Sequence, residues 1–362
     1  DSQITKAIRD LSHRFEHRLF LSATPHNGHS NSFSALLELL DPQRFCRGVP
    51  VKGKKTLDAV MVRRLKEDIR EVAGGFPKRV VKQVDITGLP TDAPELRLSE
   101  LLDQYRQLVE HRMAGETKRR QAAAGILISG LQHRLLSSIE AFARTLSVHK
   151  KTAERHWQEA LKEEPVENIP RDGLDLLAQG VESDDDRASL SEEELRAEEE
   201  VQFEVASALM AVYQGGSTAR DLMEKERALL DQMAAIAESA RHMPDARVIK
   251  LLEWMRDNLC PAIRVPGQPA KPGASKEWSD LRVILFTEWD DTKRYLREQL
   301  EEAIAGTDRA DERIEVYHGP TPVAKRKDIQ RNFNADPKTH PLRILIATDA
   351  AREGLNLQSH CW

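Results

Sequence analysis

Thr348, Asp349, Arg352 and Glu353 follow directly on the apolar run Ile344-Leu345-Ile346-Ala347, so a hydroxyl, two carboxylates and a guanidinium crowd one turn. A buried run that breaks into such a turn reads as a strand with a functional tip. In an open parallel sheet, ligands bind beyond the carboxyl ends of the strands. Leu19-Phe20-Leu21, continuing into Ser22 and Thr24, has the same design near the other end of the chain. Two such tips predict one composite site. Thr287 follows a third apolar run, Val283-Ile284-Leu285-Phe286. Thr287 and Thr348 are thereby candidate site hydroxyls at two strand tips. The competing reading of Thr287 and Thr348 is plain strand-end capping.

The elements that must hold these tips fall into three stretches. Residues 1–90 carry helical spacing at Ile4, Ile8 and Leu11 and again at Phe33, Leu36, Leu37 and Leu40, with Ser30 or Asn31 available as N-cap, and Val80, Val81, Val84 and Ile86 read as a closing strand. Residues 91–243 predict long helices, with one apolar stripe at Leu98, Leu101, Leu102, Tyr105 and Leu108 and another at Leu131, Leu135, Ile139, Phe142 and Leu146. An acidic run at 182–200, with Asp184-Asp185-Asp186 and Glu192-Glu193-Glu194, reads as a solvated loop or, alternatively, a latch competing for a basic surface. Residues 244–362 alternate strand and helix, the doubly wound signature, with a Pro/Gly-rich linker from Pro261 to Gly273 and Thr321-Pro322 opening a helix as N-cap and N1. The fold class expected is α/β: two parallel-sheet lobes, both incomplete, separated by a large α-helical insertion.

Composition sets outer bounds. At 362 residues, a prior of about 150 residues per domain suggests two or three domains. The formal net charge of -5 gives no global attraction to nucleic acid, so binding must come from local patches. Cys46, Cys260 and Cys361 have neither metal-ligand spacing nor a disulfide framework, and no metal site is expected. No run of membrane-spanning length and no signal peptide are visible, so a cytoplasmic protein with no membrane partner is the default expectation.

The motifs resemble, in order, those of the SNF2 branch of superfamily 2 helicases, the double-stranded nucleic-acid translocases. Leu19 to Gly28 is similar to motif III, Met61-Val62-Arg63-Arg64-Leu65-Lys66 to the Arg-Arg-x-Lys segment, Val283 to Trp289 to motif IV, and Arg343 to Gln358 to motif V. Tyr317-His318-Gly319 with Lys325-Arg326 and Phe333-Asn334 resembles the stretch between motifs IV and V. The wording Ala-Thr-Pro-His-Asn-Gly-His, followed by Leu-Leu-Asp-Pro-Gln-Arg-Phe, looks closest to bacterial SNF2-like proteins, including that of DISARM phage-defence systems.

What the resemblance implies is ATP hydrolysis with Mg²⁺ between two RecA-like lobes, coupled to movement along duplex DNA. Ser22 and Thr24 would couple nucleotide state to grip; Asp349, Arg352, Glu353 and Gly354 would approach the nucleotide; Thr287, Trp289, His318, Thr348, Arg63, Arg64 and Lys66 would face nucleic acid. The helical insertion could hold protein partners. Motifs I and II do not precede Leu19 and motif VI does not follow motif V, so the resemblance implies the middle of a larger motor, with no ATP or Mg²⁺ expected on this stretch alone. Gly48 to Thr56 imitates a phosphate loop, but Lys55 replaces the hydroxyl that should ligand Mg²⁺, and no buried strand precedes it. A reading from another class is a degenerate motor serving as a nucleic-acid or protein scaffold; the intact polar residues of motifs III and V favour the motor.

The chain alone is therefore expected to hydrolyse no ATP appreciably, since loss of an arginine finger by itself typically costs ~10³-fold. Phosphate release with and without duplex DNA checks this. Duplex-stimulated hydrolysis abolished by changing Lys54 would restore the discarded loop as a nucleotide site.

Overall fold

The computed structural model describes residues 3–22, 30–51, 53–63, 80–161, 192–211, 217–269, 271–318, 321–348, 357 and 360. They divide into two compact units, Asp1–Asp85 and Ile86–Trp362.

The first unit has three helices among its described residues: α1 (Gln3–Ser12), α2 (Ser30–Leu40) and the short α3 (Lys54–Asp58). The apolar runs expected as strands are not paired there. Leu19 and Leu21 are 82% and 88% exposed, and Val80, Val81 and Val84 are exposed as well. A strand of parallel type needs neighbours on both edges and cover on both faces. No other strand of this unit is among the described residues to supply them. Arg18 does tie this stretch to α2, donating from Nη1 to the Leu39 carbonyl at 2.8 Å, one of the orphan acceptors at a helix C-terminus. The Asp41 to Phe45 stretch forms a turn, closed by Gln43 and Arg44 amides on Asp41 Oδ1 at 3.1 and 3.2 Å, so no strand leads into the imitation phosphate loop.

The second unit joins a helical body to a small sheet. The body comprises α4 (Pro94–Met113), α5 (Lys118–Ser137), α6 (Ile139–Leu161), α7 (Glu192–Ala211) and α8 (Ser217–Ala240). Both expected stripes face its core, except that Val109 takes the deep position in place of Leu108. The second stripe is not one helix. At Ser138 the backbone turns extended (φ -162°, ψ 155°), its N–H closes α5 on the Arg134 carbonyl, and its Oγ accepts from the Ala141 amide at 3.1 Å to open α6. The part of the acidic run that is described, from Glu192 onward, is helical, with Glu192-Glu193-Glu194 in the first turn of α7, where the helix dipole favours carboxylates. Asp184-Asp185-Asp186 lie outside the described residues.

Four helices of the body are also cross-linked by polar groups. Arg112 of α4 donates to both Glu226 carboxylate oxygens of α8, at 2.6 and 3.2 Å, and to the Met210 carbonyl of α7 at 2.8 Å. His149 of α6 lies between Tyr105 Oη (2.6 Å) and Ser207 Oγ (2.8 Å). Removing one member of such a buried pair leaves an uncompensated charge and costs several times what a surface pair contributes.

The lobe follows α9 (Ala246–Asn258), whose N-cap Asp245 accepts from the Val248 amide at 2.9 Å. Then come β1 (Val283–Phe286), α10 (Asp290–Ile304), β2 (Ile314–Tyr317), α11 (Val323–Asn334) and β3 (Ile344–Ala347). The sheet is parallel, in the order β1-β3-β2, and every residue of the central strand is fully buried. Within the Pro/Gly linker, Ile263 and Val265 enter the same core as α9, α10 and β3, as does Cys260 just before it, while residues 266–269 and 271–273 are exposed. Thr321 departs from its expected role. Pro322 is the N-cap of α11, and Thr321 Oγ1 accepts from the His318 amide at 3.0 Å, closing the turn after β2.

Burial, together with the nearby Arg112 charge, pushes the His149 imidazole down to about 3. The unfolded chain, with an ordinary histidine near 6.5, therefore binds the proton first, so stability is complete above about pH 6.5 and is lost as pH falls towards 3. Urea midpoints between pH 7 and 4 should show this slope for the helical body, and His149→Gln should flatten it. An unchanged slope in the variant would assign the acid lability elsewhere.

Candidate functional site

The register of the sheet aligns its three tips. Phe286 pairs with Ala347 and Ala347 with Tyr317, so the next residues, Thr287, Thr348 and His318, form one row just beyond the carboxyl ends. Backbone bonds continue into that row: the Thr287 amide donates to the Ala347 carbonyl at 2.9 Å and the Thr348 amide to the Tyr317 carbonyl at 3.0 Å. With parallel strands spaced about 4.8 Å apart, the row spans roughly 10 Å.

Thr287 is the unusual member. Its side chain is buried, yet Oγ1 finds no hydrogen-bond partner among the described residues. A buried hydroxyl left unpaired carries its desolvation cost with no return. The residue lines a cavity of about 530 Å³ bounded by His133 and Leu136 of α5, Arg247 of α9, and Phe286, Glu288 and Trp289 at the end of β1.

Trp289 occupies a different environment from the one expected of a nucleic-acid contact. It is only 3% exposed, and the Arg134 guanidinium of α5 lies over its ring, 4.2 Å from the centroid. Ser22 and Arg63 are exposed residues of the first unit. Thr24, Arg64, Lys66, Asp349, Arg352, Glu353 and Gly354 lie outside the described residues. The structure thus brings together Thr287, His318 and Thr348 and, against the same tip, Trp289.

Residues 276–361 match the helicase conserved C-terminal domain. The matched segment contains all three strands and the tip row. It supports a helicase-superfamily member and, at that coarse level, a nucleotide-dependent, ATP-hydrolysing motor; helicase domains generally bind nucleic acids. No curated protein and no solved structure matches the chain significantly. Among the described residues, no group of three His, Cys, Asp or Glu side chains could hold a metal ion, and no helix is long and apolar enough to cross a membrane.

Several residues that shape the helicase C-terminal domain's site carried no motif. Tyr295 of α10 is buried, accepts from the Asp245 amide and donates to the Met243 carbonyl, both at 2.8 Å. Burial, with the Asp245 carboxylate close by, pushes its phenol well above the ordinary range, so it stays a neutral donor. Asp291 and Thr292, just past Trp289, meet Arg134, Arg144 and the hydroxyls of Ser137 and Ser138. The available signal was Arg134 itself, a charge set beside Leu131 and Leu135 on a stripe that otherwise faces the core.

Tyr295→Phe removes two of the bonds that hold the connection between α8 and α9, leaving the buried Asp245 amide unpaired, while Gln299 still donates to the His242 carbonyl. Equilibrium denaturation should show a loss of about 1–3 kcal/mol. A loss below the error of the fit would mean that packing and the Gln299 bond to the His242 carbonyl hold the connection without Tyr295.

Proposed function

We propose that the chain is part of an ATP-dependent translocase of the SNF2 type that moves along double-stranded DNA, in a bacterial cytoplasmic setting consistent with antiviral defence. The observation that carries the reading is the tip row, in which Thr287, His318 and Thr348 stand side by side at the carboxyl edge of a sheet matched by the helicase C-terminal domain. Two small hydroxyls and an imidazole at neighbouring strand ends suit successive contacts along a phosphate backbone, which positions the protein whatever the base sequence. The motif order through Ser22, Thr24, Arg63, Arg64 and Lys66, and then Asp349, Arg352, Glu353 and Gly354, supports assigning nucleotide coupling and ATP proximity to those residues. The domain organisation proposed with it is a first lobe over 1–90, a helical insertion over 91–243 and a second lobe over 244–362.

Thr287 separates this reading from strand-end capping. Its hydroxyl has no partner to lose among the described residues, so Thr287→Val should leave the stability of the free protein unchanged or slightly higher. If the hydroxyl holds phosphate, the same change lowers duplex affinity by about 1 kcal/mol, roughly fivefold, on every sequence tried. Binding to several unrelated duplexes at one fixed salt concentration decides it, because salt alone moves such affinities greatly. Equal binding by variant and wild type would remove Thr287 from the grip, and a loss on one sequence only would indicate base readout and a different class of protein.

A further inference from the structure

Arg134 sits where a charge is costly, on the inward stripe of α5 with Leu131 and Leu135. It is nearly fully buried, and three elements converge on its guanidinium. Trp289 lies beneath it at 4.2 Å and Phe203 of α7 at 5.1 Å. Nη2 donates to Glu199 of α7 at 2.9 Å, and Nη1 stands 3.7 Å from Asp291 of α10. Lysine could not do this. A guanidinium donates in its plane to carboxylates while its face rests on an indole, whereas an ammonium is a single point charge.

The neighbours repeat the same connection. One turn beyond Arg134, the Oγ atoms of Ser137 and Ser138 lie 2.7 and 2.8 Å from Thr292 Oγ1. Arg144 stands 3.5 Å from Asp291 and pairs with Glu140, which Arg241 also holds, at 2.6 Å. Burial opposes the charge on Glu140, but its bonds to Arg241 and Arg144 prevail and hold its carboxyl below the usual range. The helical body therefore meets the lobe through a network of charged and hydroxyl groups centred on the residues that follow the first strand tip.

We infer that Arg134 is a positioning residue, which through Trp289 fixes the segment Thr287-Glu288-Trp289 and makes the helical body a rigid arm of the lobe. Anything that shifts α5 or α7 then shifts the strand tip. The mechanical part stands on the contacts alone; its consequence for nucleic acid rests on the function proposed above.

The test combines amide hydrogen exchange with duplex binding in the intact protein. Arg134→Lys keeps a positive charge but gives up the stacked plane. It should speed exchange across 287–292 by roughly tenfold while leaving the α4 core amides unchanged, and weaken duplex binding at fixed salt by roughly threefold to tenfold. Trp289→Phe should do the same, and Arg134→Lys added to Trp289→Phe should change either reading by less than about twofold, the non-additivity expected of residues acting through one another. Thr292→Val, which leaves Arg134 in place and removes only the hydroxyl partner of Ser137 and Ser138, should give the same pattern more weakly and serves if Arg134→Lys does not fold. Unchanged exchange across 287–292 in the variants, or additive losses in the double variant, would overturn the inference. Wild-type protein that binds no duplex, with the exchange pattern still as expected, would remove the nucleic-acid reading and leave the positioning role standing.

Discussion

The strand Ile344–Ala347 excludes water from both faces and from both edges, and the lobe is arranged to make that possible. Strands β1 and β2 consume its backbone groups along its length, so the polar groups of the region collect at the two ends. At the entry end an arginine precedes each strand: Arg282, Arg313 and Arg343. They donate to carbonyls of the surrounding loops, including Leu342 and Ala335 for Arg282, Pro341 for Arg313, and Ser279 and Pro337 for Arg343. Burial and the other two guanidinium groups push Arg343 down to about 10, a sign of how closely these charges are gathered. At the exit end stand neutral hydroxyls and an imidazole. The entry end is closed on its own carbonyls; at the exit end the Thr287 hydroxyl has no partner among the described residues.

The helical body is joined to that exit end by a break in its own regularity. Had the stripe from Leu131 to Leu146 continued as one helix, the chain would have had no reason to present side-chain hydroxyls at its midpoint. Ser138 ends α5, begins α6 and still reaches Thr292, so one residue performs two caps and one contact between the body and the lobe. The join is made of hydrogen bonds, ion pairs and one stacked cation, where the interiors of the body and the lobe are apolar clusters. Polar joins of this kind fix geometry more than they add stability, because the desolvation of their charges offsets much of the attraction.

Sequence periodicity made the lobe legible because its strands bury both faces and its helices bury one, and both leave distinct patterns. Val283, Ile284, Leu285 and Ile344 to Ala347 could be read directly, and the tip residues followed from where the apolar runs stop. The first unit was less legible for a physical reason: Leu19, Leu21, Val80 and Val84 have strand composition, but composition carries no information on whether a partner strand lies alongside. Ser138 was hidden because the apolar spacing passes through it without interruption. The surroundings of Trp289 leave no trace in the sequence around it, and only the fold reveals that Arg134, distant in sequence, lies over its ring.

The placement of Trp289 also bears on how Thr287 can be reached. From Phe286 to Trp289 exposure alternates, with Phe286 and Glu288 open and Thr287 and Trp289 buried, and Trp289 itself keeps extended backbone. The chain bends at Glu288 after the strand ends, and Thr287 and Trp289 are both turned to a covered face while their neighbours stay open. That shared face is the one covered by α5. Thr287 opens on the cavity whose wall includes His133 and Leu136 of α5, Leu136 standing immediately before the serines that bond Thr292. Access to Thr287 and docking of the helical body thus draw on the same few residues of α5, and the width of the approach to Thr287 is set by how the helical body is seated on the lobe.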